Sequence, residues 1–438
     1  MLVQEISDHL TRVAGKNGPP LSVAFSGGGD STALLFIVCE WAKRQARPVF
    51  ALIVDHGLRE GSGKEAELAA KRAQAMGAQA KILRWEGVKP DTGIQEKARQ
   101  ARYKLLGETC RQLGSVQLLL GHTRDDQAET LFMRAQKHSG WRGFAGMGIR
   151  RLAPIWPELY AVEIMRPLLD VSRDELRRFN AENHLEFIDD PSNENHKFAR
   201  IRARTALAKM PEVKDQFLCT AMHAQKCLRE EKNKIKTVLA AHVKIHKWGG
   251  ASLETQGLKV NSELAPQILK YLIHAVSGEA QAIPLDKLNG LNAKLLKPGF
   301  RGATLGGAQF VGGKHDVLIV RDPGAVLGRK QKPSKLPIAL STQTPTLWDG
   351  RFLVETDQAG LNMAPLMTYA DQLDKQQKQA LKNIPEPARA GLPCILRDNM
   401  SGGSTSEECE LLWAYPQQTG ATFRLTCLIG AHLQAMLN

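Results

Sequence analysis

The sequence predicts an α/β protein: a doubly wound parallel sheet followed by a helical linker region and one or more smaller mixed α/β C-terminal domains. Three observations lead there. Four short apolar runs within residues 20–120 lack polar alternation, segments of helical length separate them, and a glycine-rich stretch, FSGGGDS at 25–31, stands between the first run and the first helical segment.

The runs are SVAF (22–25), VFALIV (49–54), AKILRW (80–85) and VQLLL (116–120). Continuous apolar character suits strands buried on both faces of a parallel sheet. Residues 31–46, 61–77 and 94–113 have helical length and composition. Their βαβα order implies a sheet covered by helices, with ligands at the carboxyl ends of the strands. Past Pro211, residues 213–247 form one long helical pattern, with apolar or small residues near 217, 221, 224, 228, 235, 239 and 243. This helix is expected to leave the first domain and begin the next. Residues 292–321 read as short strands with glycine turns, RKQKPSK (329–335) as a basic linker and 337–438 as a small mixed tail. The expected division is therefore 1–212, 213–330 and 337–438.

Composition narrows the class. The chain has 438 residues, 43% of them hydrophobic, enough for two or three domains with real cores. No apolar stretch is long enough to span a bilayer, and the acids Glu5 and Asp8 argue against a signal or transit peptide. Seven scattered cysteines never form a CxxC pair, which disfavours a disulfide framework or a zinc site. A cytoplasmic protein is the expectation. Its 59 Lys and Arg exceed its 45 Asp and Glu, and the surplus is uneven: +6 over 1–212, +10 over 213–350 and −2 over 351–438. Such a balance suits a polyanionic partner, although a solvated surface would give the same count.

FSGGGDS falls at the first strand-to-helix turn. A helix N-terminus offers unpaired N–H groups and partial positive charge, and glycines let an anion come close. Phosphate is the natural guest. No lysine follows the glycines as a P-loop requires, and Asp30 with Ser31 breaks the dinucleotide pattern.

The SGGGDS turn resembles the signature of the PP-loop ATP pyrophosphatases. VDHGLR (54–59), GIQEKARQARY (93–103), LGHTRDDQAETLFMR (120–134), RPLL (166–169) and DPSN…RIRAR (190–204) resemble the tRNA(Ile)-lysidine synthetases, specifically over 20–205 and more loosely beyond. The resemblance implies a ligase that uses ATP and Mg²⁺ to join free L-lysine to carbon 2 of the wobble cytidine of an isoleucine tRNA with a CAU anticodon. It implies an adenylated tRNA intermediate and release of pyrophosphate and AMP. It implies no membrane partner and leaves room for a homodimer.

Within that family pattern, Ser26, Gly27, Gly28, Gly29 and Ser31 become phosphate donors. A carboxylate beside a triphosphate needs an intervening cation, so Asp30 is expected to meet Mg²⁺, with helix capping as its alternative. Arg99 and Arg102 share a helix face, and Arg99 is favoured as the catalytic arginine, against surface pairing with Glu96. His122, Asp125, Asp126 and Glu129 cluster after the fourth run, where carboxylates could hold the lysine ammonium, Asp126 with a catalytic role; capping by Asp125 or Asp126 is the competing role. Asp55 is a further candidate for lysine or for ribose and His56 for the adenosine or the target base, with closure of a turn before Gly57 as the competing role of either. Arg200, Arg202 and Arg204 are expected on tRNA phosphates, or on a salt-bridged helix face.

One segment departs from the family pattern. Lys137-His138-Ser139-Gly140 stands where Arg-Gly-Ser-Gly is usual, so either His138 adopts positive φ or the loop bends differently. A PP-loop tRNA thiolase would call for paired cysteines and an amidotransferase for an ammonia source; a non-catalytic tRNA-binding protein is the alternative from another class.

Overall fold

A computed structural model describes the chain except residues 1, 16, 60, 88, 90–91, 189–198, 315, 330–334, 399–408 and 415–422. Residues 190–198 of the DPSN segment and 330–334 of the basic stretch thus lie outside the described residues. The chain divides into two compact units, Met1–Glu230 and Glu231–Asn438.

The first unit opens with α1 (Leu2–Ala14), β1 (Leu21–Ala24), α2 (Gly29–Lys43), β2 (Val49–Asp55), α3 (Ser62–Ala75) and β3 (Gln79–Arg84). It continues through α4 (Ile94–Gln112), β4 (Gln117–Leu120), α5 (Arg124–Gln136), α6 (Trp141–Phe144), β5 (Arg150–Leu152) and β6 (Glu163–Met165). Then come α7 (Arg173–Glu182), α8 (Ala199–Ala208) and α9 (Pro211–His242), within which the unit ends.

The doubly wound sheet is present, in the order β3-β2-β1-β4-β6-β5. β1 pairs in parallel with both β2 and β4. Leu21, Val23, Leu118 and Leu119 are fully buried, as the unalternating runs require. α2 is apolar on nearly every side and accordingly sits inside, with Leu34, Leu35, Ile37 and Val38 at 0% exposure. Each such side chain contributes about 1.5–3 kcal/mol. β3 differs from expectation. At the sheet edge, its Gln79, Lys81 and Arg84 are exposed, so one flank meets solvent. β6 extends the sheet parallel to β4, and β5 closes it antiparallel to β6.

The chain turns to opposite sides after β1 and after β3, so the crevice between the carboxyl ends of β1 and β4 is the switch point where ligands collect. Gly121 permits a close approach there: a Cβ on it would lie 3.2 Å from the Asp30 carbonyl oxygen.

The second unit contains β7 (Val243–His246), β8 (Gly250–Glu254), α10 (Thr255–Val260), α11 (Ala265–Ser277), α12 (Leu285–Leu295), β9 (Gly302–Leu305), β10 (Ala308–Gly312) and β11 (Asp316–Arg321). Its strands form an antiparallel sheet, β7-β8-β11-β10-β9. The long helix therefore stops four residues before His246, because VKIH pairs with β8, Val243 opposite Leu253. Likewise residues 292–295 close a helix, and the strands begin at Gly302.

Further along, Thr346–Trp348, Phe352–Thr356 and Phe423–Cys427 form a three-stranded antiparallel sheet, and four more strands a second one. The turn that joins Thr346–Trp348 to Phe352–Thr356 holds a buried charge cluster. Arg321 donates to both carboxylate oxygens of Asp349 at 3.0 and 3.1 Å, Arg351 donates at 2.7 Å, and Lys335 also pairs with it. Burial pushes the Asp349 carboxyl up, but Arg351, Arg321 and Lys335 outweigh it and hold it below its ordinary value. Removing one member of such a cluster strands the others. Asp349→Ala should therefore cost about 3–5 kcal/mol, read from urea unfolding of the full chain. A loss under about 1 kcal/mol would mean that the arginines find other partners.

Candidate active site

β1 ends at Ala24, and the Phe25 N–H still bonds to the Leu52 carbonyl at 2.9 Å. The chain then bends at Gly27, whose φ is 79°. A side chain there would be strained and would press on Ile188 and Ala69, at 3.0 and 3.3 Å from a Cβ. Gly28 caps α2 without a side-chain bond, so Asp30, in the first turn, is not the cap. The Ser31 hydroxyl donates to the Gly28 carbonyl at 2.9 Å and lies 3.1 Å from the Ser26 hydroxyl. The five expected phosphate donors thus lie around one bend at a helix N-terminus, with Asp30 between the fourth and the fifth.

Across the switch point, α5 starts with Thr123 as N-cap. Asp126 completes a capping box by accepting from the Thr123 N–H at 2.9 Å through Oδ2. Its Oδ1 accepts from Arg173 Nη2 at 3.0 Å and Arg200 Nη2 at 3.2 Å. Asp126 therefore both caps and joins a charge network. Glu129, 1% exposed, accepts from Arg200 Nε at 2.9 Å, Arg204 Nε at 2.8 Å and Arg173 Nη1 at 3.4 Å. Asp125 accepts from the Arg173 backbone N–H at 2.7 Å and Lys214 Nζ at 2.6 Å. Arg173 Nε also reaches Asp30 Oδ2 at 3.4 Å, so one guanidinium joins the glycine-rich turn to the acidic helix.

The surroundings push these carboxyls apart. Burial raises Asp30 above its ordinary value despite Arg173. Burial also pushes Asp126 up, but Arg200 and Arg173 outweigh it and hold it below. His122 stands at the end of β4, where Arg166 Nε donates to its Nδ1 at 3.2 Å. That bond requires an unprotonated Nδ1. Burial, then Arg166, lowers its pKa to about 3, so the ring is neutral.

A cavity of about 550 Å³ opens beside the turn, between the ends of β1 and β2, and includes Phe25, Ser26, Val54, Asp55, His56 and Arg102 in its wall. Asp55 organises the next loop, accepting from the Gly57 N–H at 2.9 Å and the Ser62 hydroxyl at 2.8 Å. His56 packs edge-on against Trp85 at 6.0 Å, and burial, then Arg102, lowers its pKa. Of the two arginines, Arg102 lines the cavity, whereas Arg99 is exposed and lies over the Tyr103 ring at 5.0 Å. On α8, Arg200 and Arg204 turn toward the carboxylates, and Arg202, two residues from each, is exposed. His138 adopts φ 50°, one of the two outcomes its position allows.

The sequence assigns no role to Arg173 or Lys214, and Arg166 enters only as the first residue of RPLL. Arg173 had one local signal, its place after the cap in the Ser172-x-x-Glu175 capping box. Its acidic partners lie 44 to 143 residues away, beyond any motif.

In the second unit, an open hollow of about 850 Å³ includes Lys244, Lys259 and Lys314. His246, on the same wall, stacks on Trp248 at 4.5 Å.

The PP-loop domain family matches residues 2–211. A tRNA(Ile)-lysidine synthase of Hyphomonas neptunium is 37% identical over 307 residues, 70% of this chain and 82% of its own. Another, of Caulobacter vibrioides, is 32% identical over 381 residues, 86% of this chain and 84% of its own. A third, of Mesorhizobium japonicum, is 33% identical over 357 residues, 78% and 74%.

The neutrality of His122 has a measurable sign. Because its folded pKa lies below its unfolded value of 6.5, its contribution to stability is full above 6.5 and declines as pH falls toward 3. NMR of the folded chain should show the His122 ring untitrated from about pH 8 to 4. A midpoint near 6.5 would contradict the Arg166 hydrogen bond.

Proposed function

From a chain that belongs to the tRNA(Ile)-lysidine synthase family, and so is a carbon–nitrogen ligase with a PP-loop ATP-binding domain, we propose a two-step reaction on isoleucine tRNA. In the first step, the oxygen on carbon 2 of the wobble cytidine of a CAU anticodon attacks the α-phosphorus of ATP, and pyrophosphate leaves. In the second, the ε-amine of free L-lysine attacks carbon 2, the carbon–oxygen bond breaks, AMP departs and the amine loses its proton. The observation that carries this reading is the shared guanidinium of Arg173. It joins a phosphate-binding turn to carboxylates suited to an ammonium group.

The turn Ser26–Ser31 holds the outer phosphates with backbone N–H groups, hydroxyls and the positive end of α2. Asp30 fits a triphosphate-bound Mg²⁺, which needs only one or two protein carboxylates, and its contact with Arg173 is long at 3.4 Å. The metal would neutralise charge on the departing pyrophosphate. The apolar part of the cavity wall, with Phe25 and Val54, suits the nucleoside, and Arg102, with Arg99 one turn before it, supplies cationic charge beside the α-phosphate.

Free lysine has a side-chain pKa of ~10.4, so making the amine nucleophilic at neutral pH takes about 4–5 kcal/mol. Asp126 and Glu129 favour the charged form and thus orient it, with Asp126 placed to take the proton as attack proceeds. Asp125 and Asp55 are further contacts for lysine, while neutral His122 is a hydrogen-bonding wall. Arg200 and Arg204 now occupy Asp126 and Glu129. With tRNA phosphates as their alternative partners, and Arg202 beside them, tRNA binding uncovers the carboxylates for lysine. The +10 surplus over 213–350 and the Lys244–Lys259–Lys314 hollow support a tRNA grip in that region.

Purified protein given ATP, Mg²⁺, radiolabelled lysine and the CAU transcript should label the tRNA only when the wobble cytidine and ATP are both present. Asp30→Ala should abolish pyrophosphate release and keep tRNA affinity within about twofold, and in both proteins that affinity should fall steeply with salt. Labelling that ignores the cytidine or ATP overturns the reaction, and equal loss of tRNA binding overturns the role of Asp30.

A further inference from the structure

We infer that Asn180 is a positioning residue for the nucleotide phosphates, acting through the backbone of the bend between β1 and α2. The inference rests on the reading of Ser26–Ser31 as the phosphate turn.

α7 packs on α2 through Phe179 and Phe36, whose rings lie 5.9 Å apart, and through Leu176, at 0% exposure. From the side of α7 that faces the turn, two side chains seven residues apart reach the first turn of α2. Arg173 meets Asp30, and Asn180 Nδ2 donates to the Gly29 carbonyl at 3.0 Å. Asn180 is 1% exposed, and its Oδ1 is buried with no partner among the described residues. An apolar side chain of the same shape would avoid that unpaired oxygen. What the amide adds is the bond to Gly29.

That bond bears on the N–H groups through the planarity of the peptide unit. In a trans peptide the C=O of Gly29 and the N–H of Asp30 point in opposite directions. Drawing the carbonyl toward α7 aims the Asp30 N–H away from it, out of the turn. Ile188 holds the carbonyl two residues earlier: its N–H bonds to the Gly27 carbonyl at 2.8 Å, while the Gly28 N–H points to the Ser26 hydroxyl at 3.4 Å. α7 and the segment that follows it thus grip the turn by its carbonyls from behind. Pre-aimed N–H groups bind an anion without first being ordered.

The test measures ATP and adenosine affinities by equilibrium dialysis, with melting temperatures, for the full chain and for Asn180→Leu and Asn180→Ser. Both variants should lose about tenfold or more for ATP while adenosine stays within about twofold, with Asn180→Ser melting close to wild type. Equal losses for both ligands, unchanged ATP binding, or a melting temperature that collapses in both variants would assign Asn180 to the fold alone. If the wild type itself prefers ATP no more than adenosine, the phosphate turn fails as well. If the wild type prefers ATP and both variants keep the preference, only the inference about Asn180 fails.

Discussion

Three carboxylates from two helices approach one point at the switch of the sheet, and the guanidinium of Arg173 holds them there. Asp30 comes from α2; Asp126 and Glu129 come from α5. Unneutralised acids so close would repel one another, and burial would drive them to take up protons. A planar, permanently charged fork can serve several at once, which a lysine ammonium does less well. With Arg173 between them, the loop after β4 can press against the first turn of α2 at Gly121, and a glycine-rich bend and an acidic face become walls of one site.

The rest of the site follows from this arrangement. Asp30 stands at the edge of the network, where burial raises its carboxyl despite Arg173. Asp126 is held ionised by its arginines. His122 is kept neutral, so it adds no positive charge to a region already rich in guanidinium groups. The cations on α8 and Lys214 complete the balance, and the acidic face contributes to the fold of the free chain as well as to the chemistry proposed for it.

Much of the first unit was legible because its signals are local. Unalternating apolar runs marked β1, β2 and β4, and three glycines before a helix marked the turn. The glycine-like conformation at His138 was one of two outcomes its place in the loop allowed. Features set by distant partners were not legible. β3 reads like its neighbours, but its place at the sheet edge depends on strand order. The end of α9 depends on the pairing of VKIH with β8. Spacing puts Arg99 and Arg102 on one face of α4, but only the strands beneath decide that Arg102 reaches the cavity. The alternating arginines of α8 suit either tRNA phosphates or a salt-bridged helix face, and only the distant Asp126 and Glu129 decide that Arg200 and Arg204 form ion pairs while Arg202, between them, is exposed. Arg173 and Asn180 carry no motif, since every group they hold comes from elsewhere in the chain.

The central claim is that the bend after β1 takes a nucleotide's outer phosphates while Asp30 exchanges Arg173 for a metal ion. A crystal structure with ATP and Mg²⁺ tests it most directly. In that crystal the β- and γ-phosphates should lie against the backbone of Gly27–Ser31, with Asp30 turned from Arg173 to the metal and Arg173 still bound to Asp126 and Glu129. A triphosphate lodged elsewhere, with the Asp30–Arg173 pair intact, would contradict it.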